Sequence, residues 1–234
     1  MDILGSALLD YQNGNYTEDI ITYSSLDEED CIPLPYLFRG FKDMPKIEQK
    51  ALKTCKGTIL DIGAGAGSHS LYLQQKKFEV TALDTSKGAI ETCKKRGVVN
   101  TLNIDFYELK DKKFDTILLL MNGLGLAGKL TNLDRFLNHL KSLLYPNGQI
   151  LVDSSDIIYM YDEDEDGGRW LPDSSNYYGE VEYVMEFKNQ KSKPFSWLYC
   201  DFNTLRRVAV ANELNCELIL SGNHYDYLAR LTYF

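Results

Sequence analysis

The most informative residues of this 234-residue chain are Leu60-Asp61-Ile62-Gly63-Ala64-Gly65-Ala66-Gly67-Ser68. This stretch continues a β-prone run that begins at Thr58, and it leads into a segment, Ser68 to Gln75, whose pattern is typical of a helix. Glycines between a strand and a helix let the backbone turn sharply and let a ligand approach without a Cβ clash, with the helix N-terminus behind them. The stretch therefore predicts a strand, a ligand-binding turn and a helix.

A second acid, Asp84, follows about 20 residues after the first glycine and ends the next predicted strand, Phe78 to Leu83. A carboxylate at that position can bind ribose hydroxyls. The glycine spacing is G-x-G-x-G, whereas a dinucleotide-binding turn would need glycine where Ser68 stands. Asp61 in front of the glycines also favours a ligand with a cationic group over a pyrophosphate. The pattern indicates a positively charged nucleoside; the alternatives are an NAD-binding enzyme, or a plain tight turn with Asp84 capping a helix.

Strands and helices alternate through the middle of the chain. Predicted strands at 58–62, 78–83, 98–104, 114–121 and 149–153 alternate with helices at 44–54, 68–75, 86–96 and 131–144. This alternation implies an open parallel sheet with right-handed crossovers. A helix at 203–214 and strands at 216–220 and 227–233 complete the sheet. We therefore predict an α/β fold: a three-layer sandwich around a mostly parallel seven-stranded sheet, with an antiparallel last strand and an inserted β-hairpin or lid.

With these motifs the sequence resembles the class I, Rossmann-like S-adenosylmethionine-dependent methyltransferases over about residues 45–154. The resemblance implies that the chain is a methyltransferase and that S-adenosylmethionine is its cofactor. It places Asp61 and the glycine turn at the methionine part, Asp84 at the two ribose hydroxyls, and Asn122 between the methionine part and the acceptor. It places Asp105 near the adenine amino group and Phe106 beside the ring. The implied cofactor-binding residues are Asp61, Gly63, Ala64, Gly65, Gly67, Asp84, Thr85, Asp105, Phe106 and Asn122.

Four segments make up the predicted organisation. Residues 1–43 form an N-terminal cap or lid, and residues 44–154 form the cofactor-binding core. Residues 155–200 form an inserted lid or hairpin that contributes to the acceptor site, and residues 201–234 complete the core sheet.

Methyl transfer from a sulfonium is an in-line displacement at an activated carbon, so the protein chiefly aligns the acceptor and excludes water. A general base is needed only if the attacking atom must lose a proton early. His69 is a candidate base, although it could merely pack at the helix start, and Asn122 is the other catalytic candidate. The candidate acceptor-site residues are Tyr36, Arg39, Arg169 and Trp170. Tyr36 and Arg39 could equally be an aromatic anchor and a surface ion pair.

Two absent motifs narrow the acceptor. Met121-Asn122-Gly123-Leu124 is not the Asn-Pro-Pro-aromatic motif of enzymes that methylate exocyclic base amines. The Pro-Cys nucleophile that follows the fourth strand in cytosine C5 methyltransferases is also absent. The net charge of −9, from 25 Lys and Arg against 34 Asp and Glu, also disfavours binding of a polyanion such as nucleic acid. We predict direct methyl transfer to a small molecule, with nucleic acid disfavoured as a partner. The alternatives are a non-catalytic protein that binds S-adenosylmethionine or S-adenosylhomocysteine, and a protein side-chain methyltransferase.

Two acidic runs, Asp27–Asp30 and Asp162–Asp166, hold nine carboxylates between them, which equals the net surplus. With Asp173, the second run has the spacing of a calcium-binding loop. Arg169 and Pro172 stand at positions that disfavour this motif, so we predict a solvated acidic turn and no metal site.

The cysteines and the chain termini bear on the compartment. Five scattered cysteines with no C-x-x-C pair are typical of a reduced, intracellular protein. The N-terminus has neither a basic nor an apolar signal region, and the longest strongly apolar run, Ile117 to Met121, is far short of the about 20 residues that span a membrane. We expect a cytoplasmic protein with no membrane partner.

Overall fold

The computed structural model describes residues 1–161, 169 and 176–234. The strands in this part of the chain are β1 (Ile20–Ser24), β2 (Glu29–Ile32), β3 (Thr58–Ile62), β4 (Glu79–Leu83), β5 (Asn100–Leu102), β6 (Phe114–Leu119), β7 (Leu144–Ser155), β8 (Glu180–Phe187), β9 (Gln190–Lys191), β10 (Phe195–Leu198), β11 (Leu214–Ser221) and β12 (Asp226–Tyr233). The α-helices are α1 (Ile3–Gln12), α2 (Leu34–Leu37), α3 (Lys46–Thr54), α4 (Ser68–Gln75), α5 (Lys87–Arg96), α6 (Leu133–Ser142) and α7 (Phe202–Ala211).

The larger sheet has seven strands in the order β11-β12-β7-β6-β3-β4-β5. Strands β3 to β7 run parallel, and β12 lies antiparallel between β7 and β11. The predicted fold class is confirmed, including the antiparallel last strand. The strand order reverses between β3 and β6, and such a reversal opens a crevice at the carboxyl ends of the strands, where ligands bind.

The central strand β6 is buried on both faces. Ile117 and Leu119 belong to a cluster that contains Phe136 of α6, whereas Leu118 belongs to a second cluster with Leu73 of α4. All five side chains are fully buried. Because successive side chains of a strand point to opposite faces, the unbroken apolar run of β6 holds a helical layer on each side of the sheet.

A second, antiparallel sheet combines the N-terminal segment with the segment after β7. Its strand order is β10-β8-β1-β2, and β9 pairs with β8. The pairing of β1 with β8 joins Thr22 to Met185 and Ser24 to Tyr183. The sequence predicted β8 and β10 as a hairpin, but it did not predict that the N-terminal strands extend this hairpin into a sheet. We call this assembly the small sheet.

The N-terminal helix is anchored directly on the core. Asp2 caps α1 by accepting a hydrogen bond from the Gly5 amide at 2.9 Å, and it also accepts hydrogen bonds from the Ser86 hydroxyl and the Gly88 amide at the start of α5. A Cβ on Gly88 would lie 2.5 Å from the Gly5 backbone, so these two helices approach too closely for a larger residue.

Three local predictions are corrected. Helices α3 and α6 begin at Lys46 and Leu133, later than predicted, because each follows a 3-10 turn, Phe41–Asp43 and Leu130–Asn132. The strand predicted to begin at Gln149 already begins at Leu144, and the pairing of β7 with β6 shifts register between these two residues. In the described part of the chain, no helix is both long and apolar enough to cross a membrane.

Candidate active site

The glycine turn between β3 and α4 has a backbone that only glycine adopts readily. Gly63, Gly65 and Gly67 have φ values of +74°, +53° and +78°. The amides of Gly63 and Ala64 donate hydrogen bonds to the Leu83 carbonyl at 2.9 and 3.1 Å. A Cβ on Gly65 would meet nothing nearer than 4.0 Å, so the surface above the turn is open.

Asp84 joins the glycine turn to the end of β4. One carboxylate oxygen accepts a hydrogen bond from the Gly65 amide at 2.9 Å, and the other accepts one from the Ser86 amide at 2.8 Å. The Asn103 side chain donates to the carbonyls of Asp84 and Thr85. Burial raises the pKa of the Asp84 carboxyl, although the two amide hydrogen bonds oppose the rise. Each oxygen keeps acceptor capacity that a hydroxyl group can use.

Asp61 lies beneath the turn and is 2% exposed. It accepts a hydrogen bond of 2.6 Å from the Ser70 hydroxyl in the first turn of α4. Burial raises the pKa of this carboxyl, while the charge of His69 and the hydrogen bonds of Ser70 lower it. The contact fixes the start of the helix behind the glycines.

Three buried polar side chains form what we call the buried trio: Arg39, Glu48 and His69. Arg39 Nη2 lies 2.5 Å from Glu48 Oε1, and His69 Nε2 lies 2.8 Å from Glu48 Oε2. Burial alone would raise the pKa of Glu48, but the hydrogen bonds and charges of His69 and Arg39 outweigh it and hold the pKa below its ordinary value. His69 therefore has one ring nitrogen engaged by a carboxylate.

Arg39 also contacts Tyr36, the other candidate acceptor-site residue of this segment. Its guanidinium carbon lies 3.8 Å from the centre of the Tyr36 ring, and Nη1 donates to the Tyr36 carbonyl at 2.6 Å. Arg39 Nε is buried and has no hydrogen-bond partner among the described residues. Glu48 was missed from the sequence, although it lies between Ile47 and Ala51 on the buried face of α3, where a charged residue is a signal of pairing.

The turn after β6 is held by the end of β7. Met121 and Asn122 both have a left-handed backbone, with φ values of 67° and 55°. The Asp153 carboxylate accepts hydrogen bonds from the amides of Met121 at 3.1 Å and Gly123 at 2.9 Å. The Asn122 side-chain oxygen accepts a hydrogen bond of 2.9 Å from the Ser155 hydroxyl. Asn122 is predicted from the sequence but Asp153 is not, because the only signal of Asp153 is its place at the end of a buried strand.

The remaining predicted residues have different surroundings. Asp105 is exposed and accepts a hydrogen bond from the Tyr107 amide, and Thr85 is exposed next to Asp84. Phe106 is buried against Phe136, with ring centres 5.5 Å apart. Their contacts with a cofactor stay predictions.

Three predictions concern the segment after Tyr161. Arg169 Nη1 donates to the Tyr161 carbonyl at 2.8 Å. Trp170 and the acidic stretch 162–166 with Asp173 lie outside the described residues. Within the described ranges, no group of three His, Cys, Asp or Glu side chains could hold a metal ion.

A cavity of about 570 Å³ lies between the small sheet and the carboxyl ends of β6 and β7. We call it the inter-sheet cavity. Met121 and Asn122 from the turn after β6 and Ser155 from the end of β7 line it, and the lining from the small sheet includes Thr22, Tyr183 and Trp197. Met121, Asn122 and Ser155 also line a smaller cavity of about 240 Å³ beside Tyr36 and Glu48.

The segment after β6 connects the inter-sheet cavity with the glycine turn. A Cβ on Gly63 would lie 3.6 Å from Leu126, and a Cβ on Gly125 would lie 2.0 Å from the Trp197 ring. The segment is therefore packed between the turn that follows β3 and an aromatic wall of the cavity.

Comparisons with known proteins agree with this geometry. The family model described as "Methyltransferase domain" matches residues 59–148. An S-adenosylmethionine-dependent methyltransferase from Bacteroides fragilis, solved in complex with S-adenosyl-L-homocysteine, is 44% identical; the match covers 99% of this chain and 94% of that chain, with a TM-score of 0.92. The CcbJ methyltransferase from Streptomyces caelestis is 13% identical over 83% of this chain and 92% of its own, with a TM-score of 0.62, and shares the fold.

A curated relative matches a shorter segment. The 23S rRNA (uracil(747)-C(5))-methyltransferase of Pyrococcus horikoshii is 32% identical over 68 residues, which is 29% of this chain. The match spans only 16% of the length of that relative. On the full-length match to the Bacteroides fragilis protein, the chain belongs to the S-adenosylmethionine-dependent methyltransferases, and its cofactor is S-adenosylmethionine.

The pKa of Asp153 predicts a pH-dependent stability. Burial raises this pKa to about 6, against the opposing backbone hydrogen bonds, whereas an unfolded aspartate titrates near ~3.9. The native state therefore binds this proton more tightly than the unfolded state does. The contribution of the protonated Asp153 to the free energy of unfolding is fully present below about pH 4 and is lost as the pH rises through about 6. Relative to Asp153→Asn, which does not titrate, the wild-type protein should lose about 3 kcal/mol of unfolding free energy across this window.

Urea unfolding from pH 4 to pH 8 measures this difference. The exposed Asp111→Asn is the matched control and should differ from wild type by a constant amount. A constant offset for Asp153→Asn as well would show that Asp153 does not titrate in this range.

Proposed function

We propose that the chain transfers a methyl group by direct displacement from S-adenosylmethionine to a small molecule held in the inter-sheet cavity. One observation carries the proposal: the segment after β6 contacts the glycine turn through Leu126 and the cavity wall through Trp197. A donor bound at the turn and an acceptor bound in the cavity would therefore be neighbours, which is the arrangement that displacement requires.

The side chains at this edge suit S-adenosylmethionine. Asp84 has acceptor capacity for the ribose hydroxyls, and the unpaired, buried Arg39 Nε suits a carboxylate. The open surface above Gly65 lets a ligand approach the backbone. We assign to the cofactor Asp61, Gly63, Ala64, Gly65, Gly67, Asp84, Thr85, Asp105, Phe106 and Asn122, as the resemblance implied.

Bound S-adenosylmethionine supplies an electrophilic methyl carbon with a neutral thioether as the leaving group. The chain has to align the acceptor and exclude water. The small sheet covers the cavity, and the Asn122–Ser155 pair presents polar groups to it. His69 is a poor candidate for a base because it is buried and lines neither of the two cavities. Catalysis then rests on alignment, with Asp153 positioning Asn122 through the backbone of the turn.

A small acceptor fits the cavity better than RNA does. Its volume of about 570 Å³ is within the range of small-molecule sites, about 300–1,000 Å³. Methylation at a pyrimidine carbon calls for a nucleophile such as a thiolate, and none of the five cysteines lines the described part of the cavity. The name of the Pyrococcus relative therefore does not set the acceptor of this chain.

Transfer of label from methyl-labelled S-adenosylmethionine tests the function. The protein is incubated with an extract of its source cells, separated into small molecules, RNA and protein. We expect label in the small-molecule fraction with wild type and none with Asp84→Ala. Label only in RNA or only in protein would contradict the small acceptor. Binding of S-adenosylhomocysteine without label in any fraction would favour the non-catalytic alternative.

A further inference from the structure

One face of the small sheet forms a wall of the inter-sheet cavity. The registers pair Thr22 with both Asp30 and Met185, and they pair Tyr183 with both Ser24 and Phe195. Because paired residues share a face and side chains alternate along each strand, these residues lie on one side of the small sheet. The same side lines the cavity.

Aromatic rings dominate this wall. In the described part of the chain, the aromatic residues that line the cavity are Tyr159, Tyr183, Phe195, Trp197 and Tyr199. The hydroxyls of Tyr183 and Tyr199 lie 3.0 Å apart, and the rings of Phe195 and Trp197 meet edge to face at 6.3 Å. Such walls bind apolar ligand bodies, and their ring faces attract cations.

The charged groups of the described lining are all acidic. Glu28, Glu29 and Asp30 line the cavity, and no lysine or arginine of the described chain does. Glu29 pairs with Tyr23, so alternation places its side chain on the other face of the small sheet from Asp30, and we base the inference on Glu28 and Asp30 alone. The nearby Lys191 pairs with Glu186 at 3.2 Å, and its register partner Glu186 lies on the opposite face of β8 from Tyr183, by alternation. No lysine or arginine of the described chain therefore neutralises the acidic rim from inside the cavity.

The Asp30 carboxylate acts on the aromatic wall. Burial is the main cause of the raised pKa of the Tyr183 and Tyr199 hydroxyls, and the charge of Asp30 raises both further. Both tyrosine hydroxyls therefore stay neutral. They add no charge to the aromatic wall, so the carboxylates of the rim set the charge preference of the cavity.

We propose that the acceptor bound in the inter-sheet cavity is a small organic cation, an amine with an apolar or aromatic body. This inference rests on the proposed function. The aromatic wall contacts the body of the ligand, and Glu28 and Asp30 at the rim bind its ammonium group. A ligand of the same size that carries a carboxylate or phosphate would make the same contacts with the aromatic wall, but the carboxylates of the rim would repel its negative charge.

Calorimetry on the protein saturated with S-adenosylhomocysteine tests the charge preference. The probes are two pairs of similar shape, 2-phenylethylamine with 3-phenylpropanoate and tryptamine with indole-3-propanoate. We expect each amine to bind at least about tenfold more tightly than its carboxylate partner, because the Glu28 and Asp30 carboxylates act together near an apolar wall. The preference should fall as salt is added.

The matched variants locate the source of the preference. Glu28→Gln combined with Asp30→Asn should reduce the preference to about threefold or less. Glu182→Gln, an exposed carboxylate on the other face of β8, should leave it unchanged. Equal or tighter binding of the carboxylates, or an equal loss in Glu182→Gln, would overturn the inference.

The two failures are distinguishable in the same samples. Failure of S-adenosylhomocysteine to bind would overturn the proposed function, and this inference with it. If S-adenosylhomocysteine binds but the complex shows no preference for the amines, only the proposed acceptor class would be overturned.

Discussion

Asp84→Ala should lower the affinity for S-adenosylhomocysteine by at least about 100-fold, because charge-assisted hydrogen bonds to two ribose hydroxyls contribute about 1.5–3 kcal/mol each. The change also leaves the Gly65 and Ser86 amides without their acceptors, which loosens the turn that the ligand approaches. Calorimetric titration of wild type and variant measures the difference.

Two controls separate lost contacts from lost structure. Glu91→Ala removes an exposed acid from α5, the helix that follows Asp84, and should bind like wild type. Asp84→Asn keeps the shape of the side chain but places an amide donor against a backbone N–H. Its affinity for S-adenosylhomocysteine should therefore lie between those of the wild type and Asp84→Ala. An affinity of Asp84→Ala within threefold of wild type, with an unchanged circular dichroism spectrum, would remove Asp84 from the cofactor site.

Glu48→Ala should destabilise the protein by about 3–5 kcal/mol, because it leaves the buried Arg39 charge without its partner. His69 loses its partner as well. The lowered pKa of Glu48 adds a pH signature. The stability it contributes is present above the pKa of the unfolded state and is lost as the pH falls through the lower, folded-state value.

Urea unfolding at neutral pH measures the loss, and the exposed Glu91→Ala should change stability by less than about 0.5 kcal/mol. Replacing both partners, as Arg39→Met with Glu48→Leu, removes the uncompensated charge and should recover part of the loss. A loss below about 1 kcal/mol for Glu48→Ala, or a double variant less stable than Glu48→Ala, would contradict the pairing in the buried trio.

Local sequence signals predicted the parts of the site that are built from one strand and its following turn. The glycine turn and Asp84 were readable because backbone conformation and a strand-ending acid are properties of short segments. The fold class followed from the same alternation, since parallel strands with crossovers leave few topologies. The apolar run of β6 likewise marked the centre of the sheet.

Features that depend on distant pairing were not readable. Strand β1 meets β8 across more than half of the chain, so no local pattern predicted that the first acidic run would line the same cavity as Tyr183. Asp153 acts on the Met121 amide of a neighbouring strand, and its role depends on the register of β7 against β6. Glu48 was visible only as a charged residue on an apolar helix face.

The net charge of −9 has a more specific meaning in the structure. Glu28, Glu29 and Asp30, from the run at 27–30, line the inter-sheet cavity. Part of the acidic surplus is therefore concentrated where we propose that the acceptor binds.

A crystal structure of the protein with S-adenosyl-L-homocysteine would show whether the donor site faces the proposed acceptor site. We predict that the ribose hydroxyls contact the Asp84 carboxylate and that the sulfur lies beside the Met121–Asn122 turn, facing the inter-sheet cavity. A ligand bound with its sulfur turned away from this cavity, or with its ribose away from Asp84, would contradict the account.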